Sequence, residues 1–439
     1  MEIDNAFIPD YYIHEVMNLN DYIRRVSDDK LRLLLQAKGA VLIEGPKWCG
    51  KTRSAEEIAK SVLYMQDPDT SKANLLTAQT KPSLLLDGET PRLLDEWQVA
   101  PELWNAVRFA VDKRRLNGLF IMTGSVSPVR TDDMHSGTGR IARMKMRTMS
   151  LFETGDSTGE ISLESLFNND TSQEGRAYLS VENLAFIINR GGWPAAAREK
   201  NEKIAFTIAN DYLEAIANED ISKPDGVEKN PERVKSLLRS ISRNVSSEAR
   251  ISTIFNDIKM NDESLSNITI DQYISALQAI FVLEDLPAWS AKLRSKTAIR
   301  TTAKRHFADP SIAAASLRAT PKRLLADLNT FGFLFESLCI RDLRIYAESL
   351  DGSVYHYRDK NNLEVDAIIH LADGRWGAVE VKLGAGEVAN AADNLLRLKK
   401  TIDTEKMNEP SFLMVLTGTE YAFQMKNGIW VVPLGCLKN

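Results

Sequence analysis

The run GPKWCGKT, from Gly45 to Thr52, carries the spacing of a phosphate-binding loop: a glycine, four intervening residues, then Gly-Lys-Thr. Gly45 and Gly50 allow backbone conformations that turn successive N–H groups inward, toward an anion, so Gly45, Pro46, Lys47, Trp48, Cys49 and Gly50 are the candidate residues lining it. A helix starting after the loop would aim its positive end at the same point. Lys51 suits the β- and γ-phosphates of a nucleoside triphosphate, and Thr52 suits Mg²⁺. Cys49 reads as a small loop side chain, with oxidation as the rival reading.

Further along, PRLLDEWQ puts Asp95 and Glu96 at the end of an apolar run. Ligands of open α/β sheets gather outside the carboxyl ends of the strands. There Asp95 would hold Mg²⁺, and Glu96 would orient and deprotonate an attacking water. FIMTGS places Thr123 at another such end, where its hydroxyl could sense a γ-phosphate. In SGTGRIARMKMR, Arg140 and Arg143 are three apart and would share a side of a helix. Either is a candidate arginine finger, in cis or from a neighbouring subunit; the competing reading is a solvated basic segment. INRGGWP, ending at Pro194, reads as a nucleotide-facing lid turn or as a helix–helix corner.

A second constellation lies near the C-terminus. Glu380 and Lys382 in GAVEVKLG share one face of a strand, because side chains alternate with a period of two. Asp366 in LEVDAII can lie on the adjacent strand of a hairpin turned by ADGRW. Glu336, on a preceding helix, adds a third carboxylate. Such a set suits a hard cation, a second Mg²⁺ or a Mn²⁺, with Lys382 stabilising charge on a phosphate. An exposed strand pair is the structural alternative.

The elements that must position these groups follow from the patterning. LRLLLQAKG reads as a helix closed by Gly39, AVLIE as a buried strand, and a helix opens at Thr52. Strands are expected at 83–88, 91–96 and 119–125, with a helix over PELWNAVRFAVDKRR between the last two. Strands alternating with helices give a parallel sheet with crossover helices. Residues 153–176 are polar and loop-like, and helical blocks cover about 179–218 and 230–320. Short helices leading into FVLEDLPAW and KRHFADP suit a winged helix-turn-helix. After about residue 331 a helix precedes the strands SVYHYRD, LEVDAIIHL and WGAVEVKL, then a helix near 387–401 and the strand SFLMVLTG.

At 439 residues the chain has room for several domains, and 44% hydrophobic with 26% charged residues excludes global disorder. A net charge of −5 excludes a wholly polybasic binder but leaves room for a local basic face. Cys49, Cys339 and Cys436 have no paired spacing, so neither a disulfide framework nor a zinc site follows. The first residues lack an apolar signal-peptide core, and no apolar run approaches the ~18 residues of a bilayer span. The expectation is a cytoplasmic protein with no membrane partner.

Taken together, GPKWCGKT, PRLLDEWQ, IMTGS, SGTGRI, GGWP and the late FE…VD…EVK resemble the prokaryotic AAA+-type ATPases that carry a winged helix and a PD-(D/E)xK nuclease-like module. The resemblance covers nearly the whole chain. It implies an α/β P-loop NTPase sheet over 1–155, a lid and helical connector over 156–225, a winged-helix-like domain over 226–325 and a nuclease-like α/β domain over 326–439. It further implies ATP and Mg²⁺ at Lys51 and Thr52, a Walker B pair at Asp95 and Glu96, a sensor at Thr123 and a Gly-x-Pro-type lid turn at Pro194. Glu336, Asp366, Glu380 and Lys382 match the nuclease-fold positions, although Val365 replaces the proline of that motif's name. The expected function is an ATPase whose nucleotide state controls a DNA-binding winged helix and a nuclease-like module, in a possible homo-oligomer. Its rival is a nucleotide-dependent switch whose C-terminal module only binds DNA or protein.

Overall fold

The computed structural model describes residues 22–126, 136–170, 173–259, 266–290, 302–402 and 407–439. The N-terminal stretch examined for a signal peptide lies outside the described residues. Among the described residues, no helix is long and apolar enough to cross a membrane.

The first sheet is built from β1 (Ala40–Glu44), β2 (Ser61–Tyr64), β3 (Arg92–Asp95), β4 (Phe120–Gly124) and β5 (Ile141–Lys145), in the order β2-β3-β4-β1-β5. Every pairing is parallel, so all five carboxyl ends lie along one edge. β1 and β4 are buried along almost their whole length, which explains why both read as unbroken apolar runs. On one face Leu42, Leu94 and Met122 pack with Trp97, Trp104 and Val107; on the other Val41, Leu93 and Ile121 pack with Ala55 and Leu31.

Two expectations are corrected here. Residues 83–88 are not a strand: Pro82–Leu86 form a 3₁₀ turn with Pro82 at its start. Proline presets a turn-like φ and lacks the N–H that a sheet ladder needs. The edge position is filled by β2, whose four residues are too short to give a periodic signal. The segment carrying Arg140 and Arg143 is not helical either. Gly137 and Gly139 have φ of 68° and 83°, which break a helix, and Ile141–Lys145 extend as β5 against β1.

The second sheet has seven strands in the order β7-β12-β13-β11-β10-β9-β8. β8 (Gly352–Arg358), β9 (Glu364–Leu371) and β10 (Trp376–Lys382) form an antiparallel meander. β11 (Phe412–Thr417) and β13 (Trp430–Pro433) continue it in parallel, and β12 (Tyr421–Gln424) returns antiparallel. The helix Leu328–Ser349 and the helix Val388–Thr401 pack on this sheet, as the patterning of those stretches anticipates. The segment expected as a connector joins the same architecture. Its β7 (Gly175–Arg176) pairs with β12, and its β6 (Ile161–Ser162) pairs with β14 (Leu437–Lys438).

In chain order the helices Val181–Arg190, Glu202–Asn218, Pro231–Arg243, Ile251–Lys259 and Asn267–Ala279 come next and pack on one another. Two antiparallel bridges, Leu283 with Phe307 and Leu286 with Lys304, follow them. Asp309 ties the parts together. Its fully buried carboxylate accepts from Thr148 Oγ1 (2.7 Å), the Gly192 and Ser311 amides (2.9 Å each) and Arg341 Nη1 (3.0 Å). Burial alone would raise this carboxyl's pKa, but Arg341 and the donors outweigh it and hold the group below its ordinary value. Asp309→Ala takes from Arg341 one of its two buried carboxylate partners, leaving only Asp342 at 2.7 Å, and strips the acceptor from Thr148 and the Gly192 amide, so it is expected to cost about 1–3 kcal/mol. Urea unfolding checks this: no measurable loss would show that Asp342 alone satisfies Arg341 and that the other donors re-pair.

Candidate functional site

The loop after β1 is constrained by close approach. A Cβ on Gly45 would lie 2.0 Å from the carbonyl oxygen of Met146, so only glycine passes there. Gly50 has φ 101°, in the left-handed region, and delivers the chain into the helix Lys51–Glu56. Lys51 is buried, and its ammonium donates to the carbonyls of Gly45 (2.9 Å) and Pro46 (2.8 Å). The lysine thus folds back over its own loop, where a phosphate would also find it.

Three strand ends meet at Asp95. Its Oδ1 accepts from Thr52 Oγ1 at 2.7 Å and from Thr123 Oγ1 at 2.6 Å. The Thr123 hydroxyl oxygen in turn accepts from the Glu96 amide at 3.3 Å. Glu96 adopts φ 53°, which ends β3 and starts the 3₁₀ turn Trp97–Val99. Its carboxylate accepts from Ser125 Oγ at 3.4 Å and from the Gln98 amide. Thr52, Asp95, Glu96 and Thr123 therefore form one connected group, reached from β1, β3 and β4. Gln98 and Ser125 were not singled out from sequence; Gln98's only signal is its place two residues beyond Glu96.

The loop is also gripped from outside the first sheet. Arg25, buried, donates to the Cys49 carbonyl at 2.8 Å and to Glu153 Oε1 at 3.0 Å. Lys47 pairs with Asp220 at 2.5 Å, and Trp48 packs on Tyr212 with ring centroids 5.4 Å apart. Pro194 stands beside Gly50: its Cγ lies 3.4 Å from the position a Cβ would take there. The Gly-Gly-Trp-Pro turn accordingly faces the loop. Cys49 is fully buried.

Arg140 is elsewhere. Its carbonyl accepts from the Ala40 amide, at the amino end of β1, and its side chain pairs with Asp112 at 2.8 Å. Strand β1 lies between it and the loop, so Arg140 does not reach the loop within one chain. Arg143 pairs with Glu44 at 2.6 Å. Arg140 and Arg143 therefore have strand spacing rather than the helical spacing considered from sequence.

The C-terminal residues do converge. Lys382 lies 3.2 Å from Glu380 Oε2 and 3.5 Å from Asp366 Oδ2. Asp366 Oδ2 also accepts from the Val381 amide at 2.8 Å, and Asn394 donates to Glu380 Oε1 at 2.7 Å. Sequence reading did not foresee Lys304. Its ammonium lies 3.1 Å from Glu336, 2.9 Å from Glu364 and 3.6 Å from Asp366, on a side chain only 3% exposed. Four carboxylates thus face two ammonium groups. Burial, and then Asp366, push Glu336 and Glu380 up to about 8, while Lys304 and Lys382 help hold Asp366 down despite its burial. Among the described residues, no group of three His, Cys, Asp or Glu is arranged to hold a metal ion. With Lys304 seated, the C-terminal set does not fit a divalent cation. The first site does: Thr52 and Asp95 offer adjacent oxygen ligands beside a glycine-shaped loop.

Residues 37–155 match a family model described as an AAA domain. Residues 181–323 and 331–437 match two domains of unknown function, DUF8612 and DUF4143. Two uncharacterised mycobacterial proteins, Rv2008c of Mycobacterium tuberculosis and Mb2031c of Mycobacterium bovis, are each 21% identical over 364 residues, covering 82% of this chain and 74% of their own. Among solved structures, the Walker-type ATPase PABY2304 of Pyrococcus abyssi aligns with TM-score 0.42 at 15% identity, over 67% of this chain and 96% of that one. The ORC2 protein of Aeropyrum pernix aligns with TM-score 0.32 at 13% identity, over 74% and 97%. The phosphate-loop pattern and the parallel sheet fall within the residues that match the AAA-domain model.

Proposed function

We propose that this protein is a Mg²⁺-dependent ATPase that works as a nucleotide-controlled switch. The observation that carries this is the sharing of one carboxylate oxygen, Asp95 Oδ1, by the hydroxyls of Thr52 and Thr123. In this reading the backbone N–H groups of residues 47 to 52 donate to phosphate oxygens, and Lys51 pairs with their charge. Thr52 and Asp95 would hold Mg²⁺, which supplies charge neutralisation at the transferred and leaving groups. Glu96, held by Gln98 and Ser125, accepts the proton of the attacking water. Thr123 bridges Asp95 and the Glu96 backbone, so it registers changes at either.

The switch follows from what grips the loop. Lys47 and Trp48 contact Asp220 and Tyr212 of the central helical unit, and Gly50 adjoins Pro194. A shift in the loop therefore acts directly on that unit. The order of three helices, Pro231–Arg243, Ile251–Lys259 and Asn267–Ala279, followed by antiparallel bridges supports a winged-helix reading with DNA as partner. DNA affinity that falls steeply with salt is the sign to look for, and salt-independent binding would point to a protein partner. The seated Lys304 favours the switch over sustained cleavage at the C-terminal sheet.

Arg140 enters this mechanism only as a residue of a neighbouring copy. Phosphate release measured across protein concentration tests both points. Turnover stops in EDTA, and turnover per chain rises with concentration in wild type but not in Arg140→Ala. Turnover in EDTA would remove Mg²⁺ from the account, and a rise that survives Arg140→Ala would remove Arg140.

A further inference from the structure

The carboxylates of the second sheet hold an ammonium where a hard cation would be expected. Lys304 does not belong to that sheet. It comes from the segment bridged to Leu286, and it reaches across to Glu336 on the helix Leu328–Ser349 and to Glu364 and Asp366 on β9. The bridge of Ala288 with His356 on β8 and the bond from His356 Nε2 to the Thr302 carbonyl fasten the same segment to the sheet. Lys304 is almost wholly buried, so its charge is compensated only by these oxygens.

We propose that Lys304 is an internal cation that excludes a divalent metal ion from Glu336, Asp366 and Glu380, and that its segment must withdraw before metal can enter. This rests on reading those carboxylates as a hard-cation set. Two cations cannot share the Asp366 and Glu336 oxygens at these distances, because like charges a few ångströms apart in a buried site repel strongly. Metal entry and docking of the bridged segment are then mutually exclusive. By linkage, whatever pulls that segment away, including a partner bound to the helical unit, raises metal affinity, and metal weakens the docking equally. The seated lysine is a closed state of the C-terminal module, built from a residue of another part of the chain.

The test is a calorimetric titration of the nucleotide-free full-length protein with MnCl₂, comparing wild type with Lys304→Met, which keeps the aliphatic stem. The variant is expected to gain one Mn²⁺ site at least about tenfold tighter than wild type. Mn²⁺ should raise the Tm of the variant by more than that of wild type, since any ion held by Thr52 and Asp95 is common to both. If Lys304→Met unfolds without metal, refolding on adding Mn²⁺ supports the proposal and failure to refold overturns it. Adding Glu380→Gln should remove the gain; a gain that persists would place the ion elsewhere and overturn the assignment. Equal Mn²⁺ affinity in wild type and Lys304→Met also overturns it. Thr52 and Asp95 are unchanged in all these proteins, so the differences between them report on the C-terminal carboxylates alone, and their failure leaves the ATPase reading to be judged by turnover.

Discussion

Lys51→Ala is expected to lower ATP turnover by roughly 10²–10³-fold or more, the scale on which loss of one preorganised charge at a reacting group is felt. The ammonium is buried beside the loop, and no other lysine bonds to the carbonyls it holds among the described contacts. Because Lys51 also fastens Gly45 and Pro46, the variant gives up one or two charge-assisted hydrogen bonds, each worth about 1.5–3 kcal/mol. Turnover should therefore be compared at a temperature where circular dichroism shows both proteins folded. Full turnover in a folded Lys51→Ala protein would mean that the loop does not engage the reacting phosphates.

Glu96→Gln separates hydrolysis from binding. The amide keeps the size of the side chain and its contacts with Gln98 and Ser125 but cannot take a proton from water. Turnover should drop by roughly 10²–10⁴-fold, the usual worth of a general base. Nucleotide affinity should hold, because Thr52, Asp95 and Lys51 are untouched. Phosphate release at the wild-type rate would show that Glu96 only shapes the turn after β3, where its positive φ already gives it a structural part.

What was legible in the sequence is what local chemistry dictates. The glycine pattern of the loop and the apolar runs before Glu44, Asp95 and Thr123 reflect contacts within a few residues. They mark the candidate phosphate loop and the central strands. The helix Leu328–Ser349 and the meander that brings Asp366 to Glu380 and Lys382 were legible for the same reason. Less visible was everything decided by distant partners. β5 sets the charged Arg143 and Lys145 beside the buried Ile141 and Met144 without a regular alternation, and that hides a strand that exists by pairing with β1. β6 and β7 are two residues each and are strands only by pairing with the far end of the chain. Lys304 sits in TTAKRHFADP, where nothing nearby marks it as the counterion of three carboxylates. Likewise, Trp48 signals no partner until Tyr212 is folded against it.

The claim on which the rest depends is that the loop from Gly45 to Thr52 captures a triphosphate. Calorimetric titration of the wild-type protein with a non-hydrolysable ATP analogue and Mg²⁺ tests it most directly. One nucleotide should bind per chain, with binding lost or severely weakened in Lys51→Ala. No binding to the folded wild type, or equal binding to both proteins, would contradict it.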